Sequence, residues 1–170
     1  MGFEGHAASI YWRQVATLVP DDLGFGGRIT LAANDPVNQC LNYIYGVLYG
    51  EVWRAVVKAG LDPYFGLVHG SVRDQGSLVF DLIEEFRAPF ADRVLLGMLG
   101  RGFRPEIGRR GFLRTRSKRL LVRSFTKRWS KAMRYRSRKM APVDLLTAQA
   151  NSLVKVFSRE GGYHPYRMCW

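Results

Sequence analysis

Cysteine is nearly absent from this chain: Cys40 and Cys169 are the two in 170 residues. They form no Cys-x-x-Cys pair, which excludes a disulfide framework and a thiolate zinc site and fits a reducing cytoplasm. Long apolar runs are missing as well. Apolar residues make up 47% of the chain, yet no charge-free run approaches the roughly 20 residues that a membrane span needs. The opening "MGFEGHAAS" has no basic stretch leading into an apolar one, so no secretory signal is indicated. Internal repeats, strand-like alternation of useful length and a linker able to separate two domains are also lacking, so residues 1–170 read as one helical domain. Acids are scarce too: 14 Asp and Glu stand against 26 Lys and Arg, a net charge of +12.

That scarcity is local. The segment 101–139 holds 16 of the 26 Lys and Arg residues and a single acid, Glu106, which makes it +15 and leaves the remainder at −3. A region this positive attracts polyanions, of which nucleic acid is the commonest, because neutralising phosphates releases condensed counterions. Within it, Leu121, Phe125 and Trp129 recur at i, i+4 and i+8 through "SKRLLVRSFTKRWSKAM". This spacing predicts an amphipathic helix with an anchored apolar stripe rather than a solvated tail, and embedding in a folded domain argues against a membrane surface as the partner.

Other elements announce themselves by caps and breakers. Residues 4–19 read as a helix with Ala7, Ala8, Tyr11, Val15 and Leu18 on one face, stopped by Pro20 and "DDLGFGGR". Asp35 and Pro36 form a helix start, and Leu41, Ile44, Tyr45, Leu48, Val52, Ala55 and Val56 carry the helix to Gly60. A loop through "LDPYFGLVHGSVRDQGS" leads to a third helix over 78–99, and Pro142 begins a last one, "PVDLLTAQANSLVKVFSR". The expected fold is all-α, with five or six helices.

Against the basic background, "SLVFDLIEEFRAPFADR" places Asp81, Glu84 and Glu85 at i, i+3 and i+4, so all three can project from one side of the third helix. Surface ion pairs with Arg87, Arg93 or the basic segment are the ordinary use of such acids. His69 closes "GLVH" 12 residues before Asp81, and Glu4 stands in the small, apolar "GFEGHAA". One histidine with several carboxylates is a donor set suited to Mn²⁺ or Mg²⁺. A divalent ion also lets acids and a polyphosphate share a cleft without repulsion. Spacing carries the reading no further. Cys40, Cys169, His6 and His164 are assigned to packing or surface.

Four stretches in this order, "EGHAASIYW", "NDPVNQCLNYIYGVLYGEV", "AGLDPYFGLVH" and "SLVFDLIEEFRAPFADR", together with the later "TAQANSLVKVF" and "YHPYR", make the chain resemble the catalytic C-terminal region of CRISPR-associated protein one. That family is the spacer-acquisition integrase of CRISPR systems, and the resemblance covers nearly the whole chain. It implies metal ligation by Glu4, His69 and Glu84, with Asp81 matching an acid that supports or joins the site, and leaves Glu85 to a surface ion pair. It implies metal-dependent strand transfer, in which the 3′-hydroxyl of a captured DNA fragment attacks a phosphodiester at a repeat boundary, with Mn²⁺ or Mg²⁺ as cofactor. The implied partners are double-stranded and branched DNA, a second copy of the chain as homodimer, and the small ferredoxin-like second universal adaptation protein. Charge density, not a family motif, nominates Arg109, Arg110, Arg114, Arg116, Lys118, Arg119 and Arg123 for phosphate contacts.

The chain departs from the family in opening at Met1, three residues before the first ligand, without the β-rich N-terminal domain. The alternative expectation is therefore a truncated, catalytically inactive helical fragment that still binds DNA.

Overall fold

A computed structural model describes residues 2–66, 76–135 and 138–167, except for the Glu4 side chain. Its centre is α2 (Pro36–Lys58). Asp35 caps this helix by accepting a hydrogen bond from the Asn38 amide at 2.8 Å, and Pro36 takes the first turn, where its missing N–H is no loss. Leu41, Ile44, Leu48, Val52 and Val56 are all buried, as the spacing predicts. Helices α3 (Ser77–Phe86), α5 (Thr115–Trp129) and α6 (Pro142–Phe157) pack around it.

The third helix is not the single rod expected over 78–99. Helix α3 passes into a π-helical stretch, Arg87–Asp92, before α4 (Arg93–Gly100) resumes the ordinary pitch. Pro89 lies inside that stretch; it has no N–H to donate, and its ring clashes with the carbonyl four residues earlier. The chain widens instead, and the Arg93 amide reaches back to the Ala88 carbonyl.

Two further boundaries differ from expectation. Helix α1 (Phe3–Ala16) stops before Val19, and the tighter turn that follows rolls Val19 into the core while Leu18 stays 64% exposed. The basic helix α5 ends at Trp129 rather than running to Met133. A small antiparallel hairpin follows, β1 (Met133–Tyr135) against β2 (Arg138–Met140), with Arg134 opposite Lys139. Like charges facing across a ladder do not favour pairing, and three-residue strands give too little alternation to read.

Leu121, Phe125 and Trp129 of α5 are buried as expected. They meet Phe86 and Phe90 in an aromatic cluster, with Phe90 and Trp129 edge to face at 5.4 Å and Phe125 and Trp129 stacked at 5.3 Å. The tail after α6 folds back to seal it with Tyr166, 5.9 Å from both Phe86 and Phe90. The all-α expectation holds, with six α-helices among the described residues. Among these residues no helix is long and apolar enough to cross a membrane.

Candidate metal and nucleic-acid site

A cavity of about 560 Å³ opens between α1, α2 and the α3–π segment. Ala7, Ala8, Tyr11 and Trp12 of α1 form one wall, Tyr45 of α2 another, and Glu84, Arg87 and Asp92 a third. Residues 84 and 92 lie eight apart, an offset of about 80° around a regular helix. The wider π turn brings Asp92 round to the cavity that Glu84 also lines.

Asp92 is the hub of this space and was missed in the sequence, where it reads as one more charge beside Arg93. It is 2% exposed and accepts hydrogen bonds from the hydroxyls of Tyr11 at 2.7 Å and Tyr45 at 2.6 Å. Burial pushes its carboxyl up to about 6, against the opposing pull of the two hydroxyls and of Arg87 and Arg28. Burial first, and then the neighbouring carboxylate, also raise both tyrosine hydroxyls well above their ordinary range. The Arg28 and Arg87 guanidiniums lie 5.2 and 5.1 Å from the Tyr45 ring centre. Arg28 is held in turn by Asn42 at 2.6 Å and by Asn38, a buried amide whose other bonds go to Gly27, Ile29 and Asp35. An acid inside the apolar run "APFAD" is the signal that could have found this hub.

The nominated ligands fall as follows. Glu84 lines the cavity, and Arg87 pairs with it at 2.5 Å. Asp81 lies one turn earlier and is half-buried. Residue 4 occupies α1 one turn before Ala7 and Ala8, but its side chain lies outside the described residues, as does the whole of His69. Among the described residues no three His, Cys, Asp or Glu side chains gather as a metal cluster. The chain that carries His69 returns at Gly76, where an added Cβ would lie 2.6 Å from the Tyr49 hydroxyl and 2.8 Å from the Trp53 ring. Glycine is required by that close approach to α2.

Glu85 corrects the sequence reading. It is half-buried and forms no surface ion pair among the described residues; it accepts hydrogen bonds from the Tyr163 hydroxyl and, at 2.7 Å, from the Tyr166 amide. Burial raises its carboxyl despite both bonds. Its task is to fasten the C-terminal tail. Cys40 is fully buried, and burial pushes its thiol up to about 12, which makes it an inert packing group.

Six of the seven nominated DNA contacts are exposed, and Lys118 is half-buried. Arg109 and Arg110 occupy a loop, Arg114 precedes α5, and Arg116, Arg119 and Arg123 are exposed along it, while half-buried Lys118 lies 5.5 Å from the Tyr43 ring centre. Arg114 and Arg116 each approach Glu106 at 3.7 Å, the one acid of the segment. The structure adds a second basic concavity of about 450 Å³, where Arg93, Arg101, Lys127, Arg128 and Lys131 converge without an acid among the described lining residues.

Comparison with known proteins places these features in context. Residues 1–135 match the family described as CRISPR associated protein Cas1. A CRISPR-associated endonuclease Cas1 of Archaeoglobus fulgidus is 34% identical over all of this chain and 52% of its own length. One from Saccharolobus solfataricus is 50% identical over 97 residues, 56% of this chain and 28% of its own. The chain thus spans about half the length, or less, of these relatives. Among solved structures, a casposase bound to integration product superposes over 93% of this chain and 49% of its own, with a TM-score of 0.85 and 23% identity. A Cas1 protein from Thermotoga maritima does so over 92% of this chain and 51% of its own, with a TM-score of 0.85 and 22% identity.

Proposed function

Because this chain belongs to the CRISPR-associated Cas1 family, we propose that it carries the catalytic half of a metal-dependent DNA endonuclease and integrase, inserting captured DNA fragments as new spacers. The observation that carries this reading is Glu84, the acid of the D-x-x-E motif, facing helix α1, which bears Glu4, across a cavity lined by two arginines. The donor chemistry fits a hard divalent ion: Glu84 offers carboxylate oxygens at 46% side-chain exposure, and the buried thiol of Cys40 is no competitor. Glu4, His69 and Glu84, supported by Asp81, would hold Mn²⁺ or Mg²⁺, which would polarise a scissile phosphate and neutralise charge growing on its oxygens.

The chain's own residues account for the rest. Arg87 pairs with Glu84 in the free protein, and its buried Nε has no hydrogen-bond partner among the described residues. A guanidinium so placed would turn from Glu84 to a phosphate oxygen when DNA arrives, giving up one ion pair to the carboxylate as it fixes the backbone. Asp92 would keep α1 in register by its bond to Tyr11. The outer face of α5 and the loop before it would position a duplex through phosphates without reading its sequence.

The implied partners are DNA, a second copy of the chain and the small second universal adaptation protein. Support for DNA comes from the casposase bound to integration product. Support for the protein partner comes from a Cas6-RT-Cas1–Cas2 complex that superposes on 92% of this chain and 18% of its own, with a TM-score of 0.77 and 23% identity. The test is Mn²⁺-dependent nicking and strand transfer on a branched DNA, with Glu4→Ala, His69→Ala and Glu84→Ala as variants. Activity that each substitution abolishes is expected. A parent that binds the DNA but never cuts or joins it would reduce this reading to a DNA-binding helical fragment.

A further inference from the structure

Phe112 is out of place on an ordinary surface. It is 71% exposed, and no other ring among the described residues contacts it. Its loop is tightly built: Ile107 pairs with Leu113 across an antiparallel bridge, the Gly108 amide donates to the Phe112 carbonyl at 2.8 Å, and the Arg114 amide donates to the Glu106 carbonyl at 2.9 Å. Gly111, at φ +76°, makes the turn that L-side chains resist, and Gln39 of α2 donates to its carbonyl at 2.6 Å. Buried Leu113 anchors the base. The aromatic ring is thus displayed on a rigid support, so displaying it costs little entropy on binding.

The ring lines a separate concavity of about 590 Å³, together with Tyr43, Asn34, Arg110 and Lys118 among others, and with no acid among the described residues. Its wall, Ala32 to Asn34, continues from Arg28 and Thr30, which line the cavity of Glu84, so the two spaces flank one stretch of chain. An exposed aromatic with cations beside a pocket of this kind is the arrangement by which proteins hold unpaired nucleotides: the ring stacks on a base face and the cations take its phosphates. We propose that Phe112 and this concavity form a stacking subsite for an unpaired nucleobase, with Arg110 and Lys118 holding the adjoining phosphates. The proposal rests on the DNA-binding reading above and names the part of a branched DNA that this loop would grip.

The test compares a blunt duplex with a fork that has the same duplex and one splayed arm carrying a fluorescent purine analogue. Parent, Phe112→Ala, Phe112→Leu and Phe112→Tyr are titrated with both. The parent is expected to quench the unpaired analogue, and Phe112→Ala to lose about tenfold in affinity for the fork, the scale of one base stacked on an aromatic ring. Blunt-duplex affinity is expected to stay within about twofold, since phosphate contacts supply it. Phe112→Tyr restores fork binding and Phe112→Leu does not, because a base needs a π-face rather than apolar bulk. Equal losses on both DNAs, no loss on either, or full rescue by leucine overturns the proposal. A parent that binds neither DNA overturns the DNA-binding reading itself, so the two failures are distinct.

Discussion

Burial holds the Asp92 carboxyl at about 6 against an unperturbed value of 3.8, so between those values the folded chain binds a proton that the unfolded chain has released. Stability from this group is therefore full below about pH 4 and lost as pH rises through about 6, a change on the order of 3 kcal/mol. The difference in unfolding free energy between parent and Asp92→Asn should fall over that window; a difference that stays flat would contradict the assignment. Glu84 and Arg87 give a second residue-level prediction. Removing the pairing with Arg87→Gln should tighten Mn²⁺ binding about twofold, the worth of an exposed ion pair, while weakening DNA binding; equal changes of both affinities in one direction would refute the proposed exchange. Glu85 behaves as neither. Glu85→Ala should cost about 2 kcal/mol of stability, since its hydrogen bonds are to a charged acceptor, and leave Mn²⁺ affinity unchanged in the same titration. The sequence shows three acids on one helix and cannot distinguish them. What separates Glu84 from Glu85 is what each meets in the fold: the cavity and Arg87 for Glu84, and the returning tail for Glu85.

Helix α2 was legible because cap, periodicity and breaker agree, from Asp35 and Pro36 to Gly60; α5 and α6 have no side-chain cap and were legible from the stripe of Leu121, Phe125 and Trp129 and from Pro142 in the first turn. The third helix was legible as helix but not as π-helix. Its periodicity continues past Pro89, and the widening is a local answer to one missing N–H. The facing of α1 was illegible because Ala7 and Ala8 line a cavity instead of filling a core. This helix is held by Val15, by Trp12 against Phe25 at 6.3 Å and by the hydroxyl of Tyr11 on Asp92. Tyr11→Phe should raise amide exchange along α1 by about tenfold, as expected for loss of one charge-assisted hydrogen bond, with exchange in α2 unaffected. On α5, replacing exposed Arg116, Arg119 and Arg123 by Gln should flatten the slope of log affinity against log salt by about 2 to 3 for a duplex. An unchanged slope would remove that face from the DNA interface.

Across the whole molecule the charge is divided as the sequence states, with 16 of 26 cations in 101–139, but folding decides its use. The segment becomes a loop, a helix and a hairpin, and it presents both the outer face of α5 and a second concavity that gathers Arg101, Lys127 and Lys131. The Cas1 family and the helical fold were readable from four ordered motifs, whereas the joining of Asp92, Tyr45 and Arg28 was not, since the three come from separate elements and only the acid in "APFAD" marks the hub along the chain. In the proposed metal site Glu4, His69 and Glu84 would bind one divalent ion together. Its most direct test is calorimetric titration of Mn²⁺ into the full chain and into Glu4→Ala, His69→Ala, Glu84→Ala and the control Glu85→Ala. One ion per chain is expected, bound by the parent and by the Glu85 variant and lost in the other three. Mn²⁺ binding that survives any of those three substitutions undiminished would contradict it.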